Sequence, residues 1–326
     1  MTSQSLLFAL KRLLQAVPTI LVIVCLNFAL LQLAPGDAAD VLAGEAGSAT
    51  PEYMAQLRQK FGLDQPMHVQ LLVYLRQVLT FDLGHSFRHG MPVSELILSR
   101  LWPTLLLMVT VFIAAVAFGA LLGSIAARHL NRWQDGLISL LTVLAYATPV
   151  FWAGLMLIVG FSIKLGWFPT SGMQEIAAFH EGWPRVVDIA HHLVLPAVTL
   201  TMFYLALYTR LMRASALEQQ SMDYVVTARA KGLTEGQIAR RHVFRNALLP
   251  VVTMAGVQAG ALLGGAVVVE TVFAWPGLGL LAYESLFARD LNLLLGIFFI
   301  CACLVVVVNL VVDVVYSMLD PRIELR

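Results

Sequence analysis

Side chains able to do chemistry are few in this chain and lie far apart. His85 and His89 form one loose group, and His180, His191 and His192 a second. Adjacent histidines in a loop or strand point apart, and no cysteine or carboxylate completes a ligand set of recognised spacing, so no metal is expected to bind. Cys25, Cys301 and Cys303 all fall inside apolar runs and read as small hydrophobes, not as a disulfide or zinc set. A phosphate-binding Gly-x-x-x-x-Gly-Lys-Ser/Thr loop is absent, which places any nucleotide hydrolysis outside this chain. Nor does any apolar run hold two carboxylates, or a serine with a lysine or histidine, as an intramembrane enzyme would need. What remains is Glu270 and Asp313, each at the border of an apolar run. Carboxylates are costly there, and the two read as hydrogen-bonding or gating groups, with substrate contact as the alternative. Asn309, four residues before Asp313, shares its helical face. No enzyme and no cofactor of this chain's own is indicated.

The elements that must position these residues are set by hydropathy. The 326 residues are 59% hydrophobic and 13% charged, with a mean hydropathy of +0.79, against about 25% charged in ordinary soluble domains. A bilayer core of roughly 30 Å needs about 20 apolar residues of helix. Runs free of Asp, Glu, Lys and Arg meet or approach that length at 13–34, 104–127, 136–163, 193–209, 247–269 and 291–312, and place spans at about 9–34, 104–127, 136–163, 193–213, 249–270 and 291–316. They do not alternate in polarity as barrel strands would. The expected fold is an all-α integral membrane protein with six transmembrane helices. The first run follows Lys11 and Arg12 like a signal peptide, but it exceeds a cleavable core in length and is read as a retained span.

Thirteen of the 21 basic residues fall on one side of such a bundle: Lys11, Arg12, Arg128, Arg132, Arg210, Arg213, Arg229, Lys231, Arg240, Arg241, Arg245, Arg322 and Arg326. That side is expected to be cytoplasmic, with both termini on it. The net charge of +1 hides this asymmetry and gives no sign of nucleic-acid binding. Segment 35–103 is expected to form a small ordered periplasmic element, with helix-compatible stretches from Pro51 to Phe61 and from His68 to Leu79. A second outer loop, Lys164 to His192, carries interface-seeking Trp167 and Trp183. The third, Glu270 to Asp290, contains Trp275-Pro276-Gly277-Leu278-Gly279, which forces a turn that serves as an interfacial bend, an outer gate or a docking site.

The longest basic loop, 214–248, reads as two short helices. Asp223 can cap a helix through Lys231, and Gly232 suits the left-handed residue that closes it. Thr234 and Gln237 have capping-box spacing and start a second helix running to about Leu249, before Pro250 opens the next span. Arg241 and Arg245, four apart, share one face. The result is a helix-Gly-helix elbow at the membrane surface.

This stretch, Asp223-Tyr224-Val225-Val226-Thr227-Ala228-Arg229-Ala230-Lys231-Gly232-Leu233 followed by Arg241-His242 and Arg245-Asn246-Ala247-Leu248-Leu249-Pro250, resembles the coupling motif of the dipeptide, oligopeptide and nickel permease family of ABC importers. Pro35-Gly36-Asp37, Asp82-Leu83-Gly84, Pro149-x-Phe151-Trp152, Glu270-Thr271-Val272-Phe273-x-Trp275-Pro276-Gly277-Leu278-Gly279, Asn309-Leu310-x-x-Asp313 and Asp320-Pro321-Arg322 resemble the same family in the same order. The Pro-Gly-Asp and the long first outer loop are similar to the B-type member of its paired permeases. Compared with the wider ABC pattern, a Glu is absent where Val226 or Thr227 stands, and Gly232 to Pro250 is longer.

The resemblance implies a bacterial inner-membrane permease subunit. It implies coupling through Ala228, Arg229, Ala230, Lys231, Gly232, Arg241, His242, Arg245, Asn246 and Pro250, and gate or structural roles for Glu270, Trp275, Pro276, Gly277, Asn309 and Asp313. It also implies a homologous second permease, two cytoplasmic ATPases holding ATP and Mg, and a periplasmic substrate-binding protein. Di- or oligopeptides are the expected cargo, nickel or a metal chelate the alternative. A self-sufficient secondary transporter, the rival from another class, would show inverted repeats, charged span centres and broken helices.

Overall fold

Proline and glycine punctuate the long apolar runs, and the helices follow that punctuation. The computed structural model describes residues 17–30, 32, 50–60, 64–86 and 88–319. Lys11, Arg12, Pro35-Gly36-Asp37, Phe61 and Asp320-Pro321-Arg322 lie outside them, as does the side chain of Asp313. All named elements among the described residues are helical, and the only β feature is an isolated bridge between His85 and Pro92. Helix α1 covers Val17–Leu30, α2 Pro51–Lys60, α3 Met67–Leu79, α4 Val93–Arg128, α5 Trp133–Ala147 and α6 Val150–Leu157. There follow α7 Trp183–Gln220, α8 Asp223–Ala230, α9 Glu235–Ile238, α10 Phe244–Ala259, α11 Leu262–Val272, α12 Leu278–Phe287 and α13 Leu291–Leu319.

Three of these, α4, α7 and α13, are long and apolar enough to cross a membrane; counting each bent pair as one span raises the number to five. Two expected spans are therefore not straight helices. The 136–163 run breaks between α5 and α6 with a 106° bend. Pro149 has no N–H to continue the ladder and drives Thr148 to an extended ψ of 127°. The 249–270 run bends by 66° after Ala259, where Gly260 opens a glycine-rich stretch of low helix propensity. Pro250 does not start a helix: it lies inside α10.

Two other helices run past their expected ends. Leu96, Leu98, Arg100 and Leu101 favour helix, Glu95 lies at the favourable N-terminal end and Pro103 is accommodated inside, so α4 starts well before Thr104. Helix α7 starts at Trp183 because Pro184 is acceptable in a first turn, and this places His191 and His192 on a helix, not in a loop. His191 Nε2 lies 2.7 Å from the Trp167 carbonyl, and His192 Nδ1 lies 3.1 Å from Asp188 Oδ1. With 38 residues, α7 is about 57 Å long, well beyond the roughly 30 Å of a bilayer core.

The chain forms two compact units, Met1–Trp102 with Leu281–Arg326, and Pro103–Leu280. In the first, Val24, Val78 and Phe299 make a small buried cluster, and Phe28 packs on Tyr74 with ring centroids 5.9 Å apart. Burial pushes the Tyr74 hydroxyl up to about 12, against a lowering hydrogen bond with Asn27. Buried Asp290 caps α13 through the Leu293 N–H (3.2 Å) and accepts from Ser86 Oγ at 2.5 Å. The Asp82-Leu83-Gly84 turn is thereby tied to the start of that helix.

In the second unit one core cluster gathers Leu107, Val111, Leu200, Tyr208, Met212, Val225, Ile238, Ala247, Val269, Phe273 and Trp275. Helix α4 lies against α7 through Gly119 and Gly123, four apart. A Cβ on either would come within 2.5 Å of Tyr208 Cβ or the Thr209 carbonyl. Small residues at this spacing let two apolar helices approach closely without a hydrophobic driving force.

Candidate functional site

The elbow is built from local signals that agree with one another. Helix α8 ends in a Schellman turn: Leu233 N–H donates to the Ala228 carbonyl (3.3 Å) and Gly232 N–H to that of Arg229 (2.9 Å). Gly232 sits at φ +80°, a conformation that costs an L-residue about 1–2 kcal/mol. Thr234 then caps α9, its hydroxyl accepting from Gln237 N–H (3.4 Å) while Gln237 Oε1 accepts from Thr234 N–H (3.0 Å). Asp223 is not the cap of α8. Met222 holds that position without a side-chain bond, and Asp223 lies in the first turn, where its charge still favours the helix dipole.

Five residues of a π-helical turn, Ala239–Val243, connect α9 to α10. The π turn covers Arg241 and ends two residues before Arg245. Both arginines are exposed, as are Asn246, Arg240, Lys231 and Ala230. Val225, Ala228, Ile238, Val243 and Ala247 form the opposite, buried face and join the core cluster. Ala228 therefore anchors the elbow and does not belong to its outer surface. Arg229, exposed, pairs with Glu235 at 2.7 Å and holds that carboxyl below the usual range. His242 is half-buried, its ring 6.5 Å from that of Tyr224. The outer surface thus carries Val226, Ala230 and a group of cations of which Lys231, Arg240, Arg241 and Arg245 have no ion-pair partner among the described residues.

Glu270 and Trp275 form a separate centre in the same unit. Both are fully buried, which removes Trp275 from any interfacial or docking surface. Glu270 accepts from Thr104 Oγ1 (2.7 Å), Gly279 N–H (2.6 Å) and Leu280 N–H (3.1 Å), so it caps the start of α12. Thr104 in turn accepts from Leu278 N–H at 2.7 Å, and Trp275 Nε1 donates to the Pro103 carbonyl at 2.9 Å. A Cβ on Gly277 would collide with the Glu270 carboxylate. Pro276 stands in the turn before α12. The expected turn is present, and the Glu270 carboxylate serves in it as a helix cap. Asn309 is exposed on α13.

One pair stood out in no sequence pattern. Asp135, at the start of α5, makes two bonds to Arg213 of α7, Nε–Oδ1 at 2.7 Å and Nη2–Oδ2 at 2.8 Å. Arg213 reads in sequence as one more topology-setting cation, and only the fold brings Asp135 to it across 78 positions.

Residues 119–325 match the family described as binding-protein-dependent transport system inner membrane component, and residues 5–109 match its N-terminal companion. The chain belongs to that family: it is an inner-membrane permease subunit, not itself a catalyst, and works with a binding protein and an ATPase. It is 41% identical over 319 residues to the glutathione transport system permease protein of Salmonella typhimurium, covering 98% of this chain and 99% of that one. A putative peptide transport system permease protein of Brucella abortus is 38% identical over 315 residues, covering 97% and 98%. The fold resembles that of the methionine ABC transporter MetNI in an inward-facing conformation, with a TM-score of 0.56 and 17% identity over 70% of this chain and 97% of that one. Broken helices, expected of a secondary transporter, therefore occur here in an ATP-driven one.

Proposed function

We propose that the chain is the B-type permease of a peptide importer, crossing the inner membrane six times with both termini in the cytoplasm. It lines a translocation path with a homologous second permease. Two ATPase subunits, holding ATP and Mg, dock on the elbow, and a periplasmic binding protein delivers cargo. The observation that carries this reading is the division of the elbow into a core-anchored face and an exposed cationic one. A short element fastened directly to α7 and α10 is what a soluble motor needs to move spans inside the bilayer. Peptide cargo is supported by the similarity to peptide and glutathione permeases over nearly the whole chain; glutathione is itself a small peptide. Alternating access then follows from the partners binding the two conformations unequally.

Purification of the tagged chain in mild detergent, with mass identification of partners, tests the assembly. Uptake by reconstituted complex of labelled dipeptide, glutathione and a nickel chelate tests the cargo. Recovery of a second permease and Walker-motif ATPases, with peptide uptake dependent on ATP, is expected. A lone chain, or nickel uptake without peptide uptake, would overturn it.

A further inference from the structure

The elbow is not the only place where α7 can pass a displacement to its neighbours. Arg213 lies seven residues before the end of α7, about two helical turns ahead of the turn into α8. Its partner Asp135 has a side chain only 7% exposed. The carboxylate is also held by Asn131 N–H at 3.1 Å, with Asn131 at a left-handed φ of 60°. The α4–α5 turn is therefore shaped around that carboxylate. At the same level of α7, Gly123 of α4 lies so close that a Cβ would come within 3.0 Å of Arg213 N and 2.7 Å of Met212 Cβ. A narrow crevice between the π turn and these helices is lined by Ser124, Arg128, Met212, Ala216, Ala239 and Val243. Three helices and the elbow thus meet within two turns of one another.

We propose that Asp135 and Arg213 are positioning residues for ATP-driven transport, forming a joint that makes α5 follow α7 when the elbow is moved. The bidentate geometry fixes both distance and angle between the two helices, which a single apolar contact or point charge does not. Beyond Asp135, α5 leads to the Pro149 break, so a displacement entering at the joint would tilt a helix whose far end is bent by 106° from the next one. Without the pair, the elbow would still move α7 and α10, and α5 would lag.

This inference rests on the docking role assigned to the elbow, and the experiment separates the two. The whole importer is reconstituted in vesicles with D135N, R213K or the exchanged pair D135R/R213D in this chain. Assembly, ATP hydrolysis and peptide uptake are measured on the same preparation. The expected result is an assembled complex that hydrolyses ATP, with peptide moved per ATP falling about tenfold in both single variants and substantially restored in the exchange. R213K keeps the charge and loses the bidentate fork, so it decides the matter if D135N fails to assemble. An unchanged uptake-to-ATP ratio, or loss of assembly in both single variants, would overturn the joint. Gly232→Pro, assayed alongside, reports on the elbow alone: normal uptake by that variant would sink the docking role whatever the pair does.

Discussion

Removing the Glu270 carboxylate would leave the Thr104 hydroxyl and two backbone N–H groups of α12 without their acceptor. Hydrogen bonds to a charged group are worth about 1.5–3 kcal/mol each and do not add fully, so Glu270→Ala should cost about 3 kcal/mol in the detergent-solubilised protein. Gly277→Ala should cost about 1–3 kcal/mol by overpacking the same site. By contrast Gly236→Ala, a helical position with open space around it, should be neutral or stabilise by up to about 1 kcal/mol. Thermal unfolding of the three variants side by side checks the order. A separate expectation concerns acid. The Arg213 hydrogen bonds hold the Asp135 carboxyl below its usual range, helped by the Asn131 N–H and opposed by desolvation. A lowered folded value means the contribution is complete above the unfolded carboxyl's value, about 4, and is lost as pH falls through the folded one. Between about pH 5 and 2 the unmodified protein should therefore lose more stability than D135N, which starts lower at neutral pH and has no such carboxyl to titrate.

At the scale of elements, the close approach of α4 to α7 depends on Gly119 and Gly123, and Gly123→Val must either push the helices apart or displace the Thr209 carbonyl. We expect loss of folded yield in detergent, with Gly264→Ala at an exposed position as the tolerated comparison, since nothing lies within 4 Å of its would-be Cβ. Gly232→Pro acts differently. It demands φ near −65° where the chain needs +80° and removes the N–H given to the Arg229 carbonyl, so insertion and folded yield should survive while ATP-driven uptake disappears. The elbow was legible in sequence because its determinants are neighbours: Gly232, Thr234 and Gln237 act within one turn. The apolar runs were legible because length alone decides them. Their interruptions were not, since Pro149 and Gly260 sit in stretches whose hydropathy does not change across the break, and Pro250, the more obvious breaker, is accommodated. The Glu270 cap and the Asp135–Arg213 pair join residues far apart in the chain, and no periodicity announces such partners. Even Asp223 was misplaced by one position, because an acidic residue suits the first turn as well as the cap.

For the whole molecule, the described surface carries many exposed large apolar side chains, among them Leu140, Leu144, Phe151, Trp152 and Val257. A water-soluble monomer rarely exposes so much apolar area, whereas an inner-membrane permease meets lipid. The cationic outer surface of the elbow is the exception. A photoreactive amino acid placed at Val226, 58% exposed, or at Val225, fully buried, in the assembled importer distinguishes contact from proximity on adjacent residues of one helix. Crosslinking from Val226 to an ATPase subunit, with none from Val225, is the predicted result. Efficient crosslinking from Val226 to lipid or to the second permease alone, in a complex shown to contain its ATPases, would contradict the assignment of the elbow as their docking element.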